Sequence, residues 1–101
     1  MDMEIKTLKD GDKKVDVEAV VTELGAAREV NLKSGGTARV RDVAIKDENG
    51  GSITLTLWNN DIDRVSEGAV VNIANGYVTA FKGSLKLNIG RFGKMLVNGN
   101  E

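Results

Sequence analysis

The aliphatic residues Ile53, Leu55 and Leu57 alternate with polar residues, and the pattern ends on the chain's only tryptophan, Trp58. A strand with this alternation buries its aliphatic side, so Trp58 is predicted to stand on the polar, solvent-facing side. An exposed indole can stack on a nucleic-acid base, because every base presents a π-face. The alternative is that Trp58 covers one end of the core, since large aromatic side chains are highly buried on average.

Two further aromatic residues, Tyr77 and Phe81, share the parity of the aliphatic residues Val71 and Ile73. A regular strand would therefore send all four side chains into one small interior. A glycine inside a strand commonly marks a bulge, and one extra residue at Gly76 would reverse the faces beyond it. The residues predicted to face outward are then Tyr77, Thr79 and Phe81, and those predicted to face inward are Val78 and Ala80. Without a bulge, Tyr77 and Phe81 would fill the interior instead.

Cations accompany these aromatics, although the net charge of the chain is −1. Residues 1–29 carry eight acids against five bases, whereas residues 30–41 and 68–100 contain no acid at all. If the fold joins the two acid-free stretches, one face is basic, and cations on it can follow phosphates while the aromatics stack on bases. The predicted phosphate and polar contacts are Arg28, Lys33, Arg39, Arg41, Thr56, Thr79, Lys82, Lys86, Asn88 and Arg91, and Phe92 is a further candidate aromatic. The alternative for each single Lys or Arg is an ordinary solvated surface residue.

The chain has no cysteine and no histidine, which excludes disulfides, thiolate chemistry and imidazole-based catalysis. The carboxylate pairs Asp61 with Asp63 and Asp47 with Glu48 fit a helix start and a turn, respectively. We therefore expect neither an enzyme nor a metal or cofactor site. The N-terminal residues lack the apolar segment of a signal peptide, and no apolar run is long enough for a membrane span, so a cytoplasmic, nucleoid-associated protein is expected.

The elements that must position these residues are mostly short strands. Alternation predicts strands over residues 14–24 and onward toward 32, and over 37–47, 52–58, 69–79 and 85–89, with a sixth piece at 94–97. A brief helix is predicted after Trp58, with Asn59 or Asn60 as its N-cap. Its inward-facing residues are expected to be Ile62 and Val65, and the chain is expected to leave the helix at Gly68.

Five strands with a small helix between the third and the fourth is the order of the oligonucleotide-binding (OB) fold, an all-β Greek-key barrel. Other barrels of five or six strands remain open on the pattern alone. We expect one domain over residues 1–101, with a lead-in over residues 1–12 and a disordered end over residues 98–101.

The same segments resemble the archaeal single-stranded-DNA-binding proteins and the OB domains of archaeal replication protein A, to which the small human single-strand-binding proteins of the sensor complex are related. The resemblance spans nearly the whole chain and is most specific in residues 67–73, 76–83 and 85–91. It implies single-stranded DNA binding with weak sequence preference, in replication, recombination or repair. It also places the family's base-stacking aromatics on Trp58, Tyr77 and Phe81.

Two departures from the family accompany the resemblance: an additional glycine at Gly50-Gly51, and an end near Asn98 without the long tail of single-domain members. The second departure favours one OB domain of a larger replication protein A over a minimal single-domain binder. Expected partners are single-stranded DNA and other OB domains or replication and repair proteins, with the isolated domain a monomer. The alternatives are an OB domain used for protein contact, where the aromatics anchor a partner, and RNA binding.

Overall fold

The computed structural model describes residues 2–100 and consists of seven strands and two short 3-10 helices. The strands are β1 (Val15–Leu24), β2 (Arg28–Asn31), β3 (Thr37–Lys46), β4 (Ser52–Trp58), β5 (Val70–Phe81), β6 (Ser84–Asn88) and β7 (Lys94–Val97). The 3-10 helices span Ile5–Thr7 and Asn59–Arg64. None of the helices in residues 2–100 is long and apolar enough to cross a membrane.

Five of the strands pair in a closed ring. β1 pairs with β3, β3 with β4, β4 with β6, β6 with β5, and β5 again with β1. All of these pairings are antiparallel except the one between β4 and β6. The short strands β2 and β7 pair with β3 and β5 outside the ring. The five ring strands, with a helix between the third and fourth of them, confirm the predicted OB fold.

The interior of the ring is aliphatic. Alternate residues of β1, from Val15 to Val21, are buried, as are Leu55 and Leu57 of β4. The two ends are covered by the 3-10 segments: Ile5 packs near the start of β4, and Ile62 packs near its end. The sequence alternation therefore predicted the inward residues of these strands correctly, and the aromatics are not needed for the core.

Two predicted element boundaries were wrong. The first strand stops at Leu24 and does not continue toward residue 32, although the Gly25 backbone N–H still donates to the Asp42 carbonyl of β3 at 2.9 Å. The helix after β4 is a 3-10 helix that ends at Arg64 and has no side-chain cap. Asn59, one of the predicted caps, instead accepts a hydrogen bond at its Oδ1 from the Arg39 backbone N–H, at 3.1 Å.

β5 contains the predicted bulge, displaced by one residue. Between the pairs Val17 with Ile73 and Val15 with Gly76, β5 has one residue more than β1. The residue in the left-handed region is Asn75, with φ 57°, and not Gly76. The faces reverse across the bulge as expected, and Val78 is buried. Ala80, however, is exposed, in contrast to the prediction, because β5 runs beyond the interior at this point.

Gly76 is required for space. Its side of the strand faces the interior, and an added Cβ would lie 2.8 Å from the Asn88 carbonyl oxygen and 3.2 Å from Leu87 Cδ1. We expect Gly76→Ala to lower the free energy of unfolding by roughly 1 to 3 kcal/mol, measured by urea denaturation. Ala80→Val, at an exposed position of the same strand, should change it by less than about 0.5 kcal/mol. Equal unfolding midpoints for the two variants would contradict this account.

Both ends of the described chain are tied to the barrel. In the predicted lead-in, Ile5 and Leu8 belong to the core. At the other end, the Asn98 backbone N–H donates to the Val70 carbonyl at 2.7 Å, and Asn98 Oδ1 accepts from the Val70 N–H at 2.9 Å. The Asn98 amide thus continues the pairing of β7 with β5, and the disorder expected over residues 98–101 stays a prediction. Glu101 lies outside the described residues.

Candidate nucleic-acid interface

One outer face of the barrel carries the three predicted aromatics. Trp58 at the end of β4, Tyr77 after the bulge of β5 and Phe81 at the end of β5 are 43%, 41% and 58% exposed. The predicted outward orientation of all three is confirmed: Tyr77 and Phe81 do not fill the interior, and Trp58 does not cover one end of the core. We call the outer surface of β3, β4, β6 and β5 that bears these three residues the aromatic face.

The strand register fixes which residues share the aromatic face. Residues that are paired on neighbouring strands form rows across the sheet. The first row crosses β2, β3 and β4 and consists of Arg28, Val40 and Trp58. Val40 is 2% exposed yet lies outside the main core cluster, so it supports the indole from beside it. Two further rows cross all four strands. They are Asp42, Thr56, Asn88 and Tyr77, and Ala44, Thr54, Lys86 and Thr79.

Asp42 lies near the middle of this face and was not among the residues predicted from the sequence. Its Oδ2 lies 3.1 Å from Lys86 Nζ and 3.8 Å from an Arg28 guanidinium nitrogen, and its Oδ1 accepts a hydrogen bond from the Thr56 hydroxyl at 3.0 Å. The signal was present in the sequence. The turn over residues 47–51 closes a hairpin in which Lys46 pairs with Ser52, and that register places Asp42 opposite Thr56.

Asp42 is held in its ionised form. Partial burial would raise the pKa of its carboxyl, but hydrogen bonds from Lys86 and Thr56, with the charges of Lys86 and Arg28, outweigh burial and lower that pKa. The carboxylate therefore orients two cations on a face that also carries aromatic rings. It also partly neutralises them in the free protein.

Phe81 is accompanied by two ammonium groups. Lys82 Nζ and Lys86 Nζ lie 5.4 and 5.5 Å from the centroid of its ring. Lys86 lies on the neighbouring strand β6, where it pairs with Thr79 of β5. Phe81 is two residues beyond Thr79 on the same side of β5, so the Lys86 side chain extends to the Phe81 ring. Cations at this distance are attracted to the ring quadrupole. A base that stacks on Phe81 would thus arrive beside positive charges able to contact its phosphate.

Trp58 and Tyr77 border a common cleft of about 170 Å³. Its floor includes Gly90, where an added Cβ would lie 2.9 Å from Tyr77 Cε1, so the phenol ring rests directly against the glycine. Asp61 also lines the cleft, and its carboxylate is paired with Arg64 at 2.9 Å. The cleft is thus bounded by two aromatic rings and can accommodate a flat apolar group between them.

Three predicted contact residues either point away from the aromatic face or are buried on it. Arg41 is opposite Leu57, which points inward, and its Nε donates to the Gly25 carbonyl at 2.7 Å. Arg39 alternates with Val40 and leaves the hairpin on the other side, 3.7 Å from a carboxylate oxygen of Asp63. Thr56 is on the face but is 6% exposed, and its hydroxyl orients Asp42. Arg41 and Thr56 thus each have an intramolecular hydrogen-bond partner.

Other predicted contacts are found on β5, on β6 and in two turns. Thr79 and Lys82 are exposed on or beside β5, and Asn88 donates from Nδ2 to Thr79 Oγ1 at 3.2 Å. Lys33 is exposed in the turn between β2 and β3. Arg91 and Phe92 form an exposed turn after β6, with the guanidinium carbon 5.7 Å from the Phe92 ring centroid.

Comparison with known proteins finds a matching family and related sequences. Residues 3–98 match the family described as the replication protein A OB domain. The chain is 37% identical over 90 residues to the single-stranded DNA binding protein Ssb of Saccharolobus solfataricus, covering 89% of this chain and 60% of that protein. It is 33% identical over 72 residues to a 70 kDa DNA-binding subunit of replication protein A from Oryza sativa subsp. japonica, and that match spans 69% of this chain and 8% of the rice protein.

A structural comparison supports the same fold. The second OB-fold domain of replication protein A from Methanococcus maripaludis superimposes with a TM-score of 0.79 at 24% identity, covering 100% of this chain and 98% of that one. The chain thus matches a whole OB domain in structure, but it spans less than two thirds of the length of the relatives found by sequence. The resemblance drawn from residues 67–91 is confirmed by these matches.

Proposed function

Because this chain belongs to the family of replication protein A OB domains, we propose that it binds single-stranded DNA through the aromatic face, with weak sequence preference. Bases stack on Trp58, Tyr77 and Phe81, and phosphates contact the cations around them. The domain acts by binding, without catalysis, on DNA exposed during replication, recombination or repair in the cytoplasm, beside other OB domains or repair proteins.

The observation that carries this proposal is the exposure of three rings on one face together with Lys82 and Lys86. Exposing so much aromatic surface on a small domain leaves it in contact with water unless a ligand covers it. The ring faces accept any base, whereas a duplex hides its bases within the stack. Single-stranded nucleic acid is therefore the ligand that this combination of rings and ammonium groups fits best.

A fluorescence titration tests the proposal. Trp58 is the only indole, so its emission reports directly on the aromatic face. We expect oligo-dT to quench this emission, a duplex of the same length to leave it nearly unchanged, and the affinity to fall steeply with salt, with a slope of about −0.7 per phosphate contact in log–log form. Unchanged emission with oligo-dT at low salt would show that the bases do not stack on Trp58.

The same titration separates the other two functions considered from the sequence. A protein partner anchored by the aromatics would bind with weak salt dependence, whereas phosphate contacts give a strong one. An RNA-binding domain would prefer oligo-rU over oligo-dT, because only RNA offers the 2′-hydroxyl as an additional contact. Preference for oligo-dT with a steep salt dependence is the expected result.

A further inference from the structure

A second groove adjoins the aromatic face on the far side of Tyr77. It encloses about 360 Å³, and its lining includes Lys13, Lys14, Tyr77, Arg91 and Phe92. Tyr77 and Gly90 line both this groove and the cleft beside Trp58, so the two spaces are adjacent. The groove is thus continuous with the proposed DNA-binding surface.

Phe92 is the most exposed large apolar residue among residues 2–100, at 81%. The turn that carries Phe92 is tied to β5, because the Phe92 carbonyl oxygen accepts a hydrogen bond from Asn75 Nδ2 at 3.3 Å. The Asn75 backbone N–H in turn donates to Asp16 Oδ1 on β1 at 2.9 Å. The bulge of β5 therefore holds the Phe92 turn next to Tyr77. The ring makes little contribution to the core and is free to contact a ligand.

The charge of the groove suits a phosphate. Lys13 and Lys14 are exposed in the segment before β1, and the Arg91 guanidinium lies beside the Phe92 ring. The carboxylate of Asp16, the nearby acid on β1, accepts the Asn75 N–H described above. The groove thus combines one exposed ring with three cations among its lining residues, as the Phe81 ring is accompanied by two ammonium groups.

We propose that the groove between Tyr77 and Phe92 is a fourth nucleotide subsite, which takes the nucleotide adjoining the one stacked on Tyr77. The base lies against Phe92, and its phosphate contacts Lys13, Lys14 or Arg91. This inference rests on the proposed binding of single-stranded DNA and extends the path of the strand around the barrel, from the outer surface of β6 toward the start of β1.

Oligonucleotide length tests the subsite, with Trp58 emission as the readout. We expect Phe92→Ala to weaken binding of long oligo-dT by about fivefold or more, and to leave unchanged the affinity for oligonucleotides too short to pass Tyr77. The length at which affinity stops increasing should shorten by about one nucleotide. Phe92→Leu should lose as much as Phe92→Ala, because a base stacks on a ring and not on an aliphatic chain; full affinity in Phe92→Leu would overturn stacking.

A charge comparison tests the phosphate contact. Lys13→Gln should reduce the slope of log affinity against log salt concentration by about 0.7 in magnitude. The control is Lys46→Gln, which removes an exposed lysine at the end of β3, away from the groove, and should leave this slope unchanged. If Phe92→Ala matches the wild type at every length and Lys13→Gln matches Lys46→Gln, the subsite does not exist, although quenching of Trp58 still supports the aromatic face. Absence of quenching in the wild-type chain would instead overturn the proposed function itself.

Discussion

Trp58→Ala is expected to weaken binding of oligo-dT by about 5- to 150-fold, which corresponds to roughly 1 to 3 kcal/mol of base stacking. Phe81→Ala should have an effect in the same range. Because the first variant lacks the indole, affinity is measured for both by anisotropy of a labelled oligonucleotide. Phe81→Ala is the cleaner test, since its ring is 58% exposed and contributes less to packing than Trp58 at 43%.

Val20→Ala provides the matched control. Val20 is a large apolar residue that is 40% exposed on β1, a strand outside the aromatic face. Its truncation removes exposed apolar atoms away from the aromatic face and should leave the affinity unchanged. Trp58→Phe should retain most of the affinity, because a benzene ring still stacks. Wild-type affinity in both Trp58→Ala and Phe81→Ala, with the fold intact by circular dichroism, would contradict the stacking of bases on this face.

Asp47→Ala is expected to lower the free energy of unfolding by about 3 kcal/mol or more. The Asp47 carboxylate accepts hydrogen bonds from the backbone N–H groups of Ile5 at 2.8 Å, Gly51 at 3.0 Å and Asn49 at 3.1 Å. The bonds to Ile5 and Gly51 are buried, and each buried donor left without a partner costs roughly 1 to 3 kcal/mol. The substitution also releases the N-terminal segment from the hairpin between β3 and β4. Urea denaturation measures the loss.

The same carboxylate makes stability depend on pH. The hydrogen bond from the Ile5 N–H, with those from Gly51 and Asn49 and the charge of Lys6, lowers the pKa of Asp47 in the folded protein against the opposing effect of burial. A lowered pKa contributes stability that is complete above the unfolded value, near 3.9, and that is lost as pH falls through the folded value. We therefore expect the urea midpoint to fall below about pH 4.

Two variants check the assignment to Asp47. Asp47→Asn keeps one oxygen acceptor but cannot ionise, so at neutral pH it should be less stable than the wild type, with a smaller further loss on acidification. Glu48→Gln removes one acid from the same turn without touching the three N–H groups, and it should behave as the wild type. An acid transition in Asp47→Asn as large as that of the wild type would show that other carboxylates cause it, Asp42 among them because its pKa is also lowered.

Predictions from the sequence were most accurate for features that depend on the residues of a single strand. Alternation alone identified the inward residues of β1 and β4 and placed Trp58 on the solvent side, because each pattern is local and has a period of two. The parity conflict between Ile73 and Tyr77 correctly required a bulge. It did not identify the residue, since asparagine as well as glycine adopts the left-handed region, and Gly76 is instead needed for the space around Asn88 and Leu87.

The side-chain placements that the sequence did not reveal depend on contacts between strands. Arg39 and Arg41 were assigned to the ligand face because they lie in an acid-free stretch, but pairing with β4 turns Arg41 toward Leu57 and toward the Gly25 carbonyl. The position of Asp42 beside Lys86 follows only when β3 pairs with β4 and β4 with β6. The parallel pairing of β4 with β6 joins residues about 30 positions apart, and no local pattern encodes it.

Asp42 has a thermodynamic consequence for any polyanion that binds this face. Its carboxylate is a counter-ion for two cations of the same protein. The charges of Lys86 and Arg28 are therefore already partly neutralised before the polyanion binds. Transfer of Lys86 from Asp42 to a phosphate exchanges an intramolecular anion for an anion of the ligand. Such an exchange is less sensitive to dissolved salt than the capture of a phosphate by an unpaired cation. The number of phosphates read from a salt titration would then understate the number of cations that contact the strand.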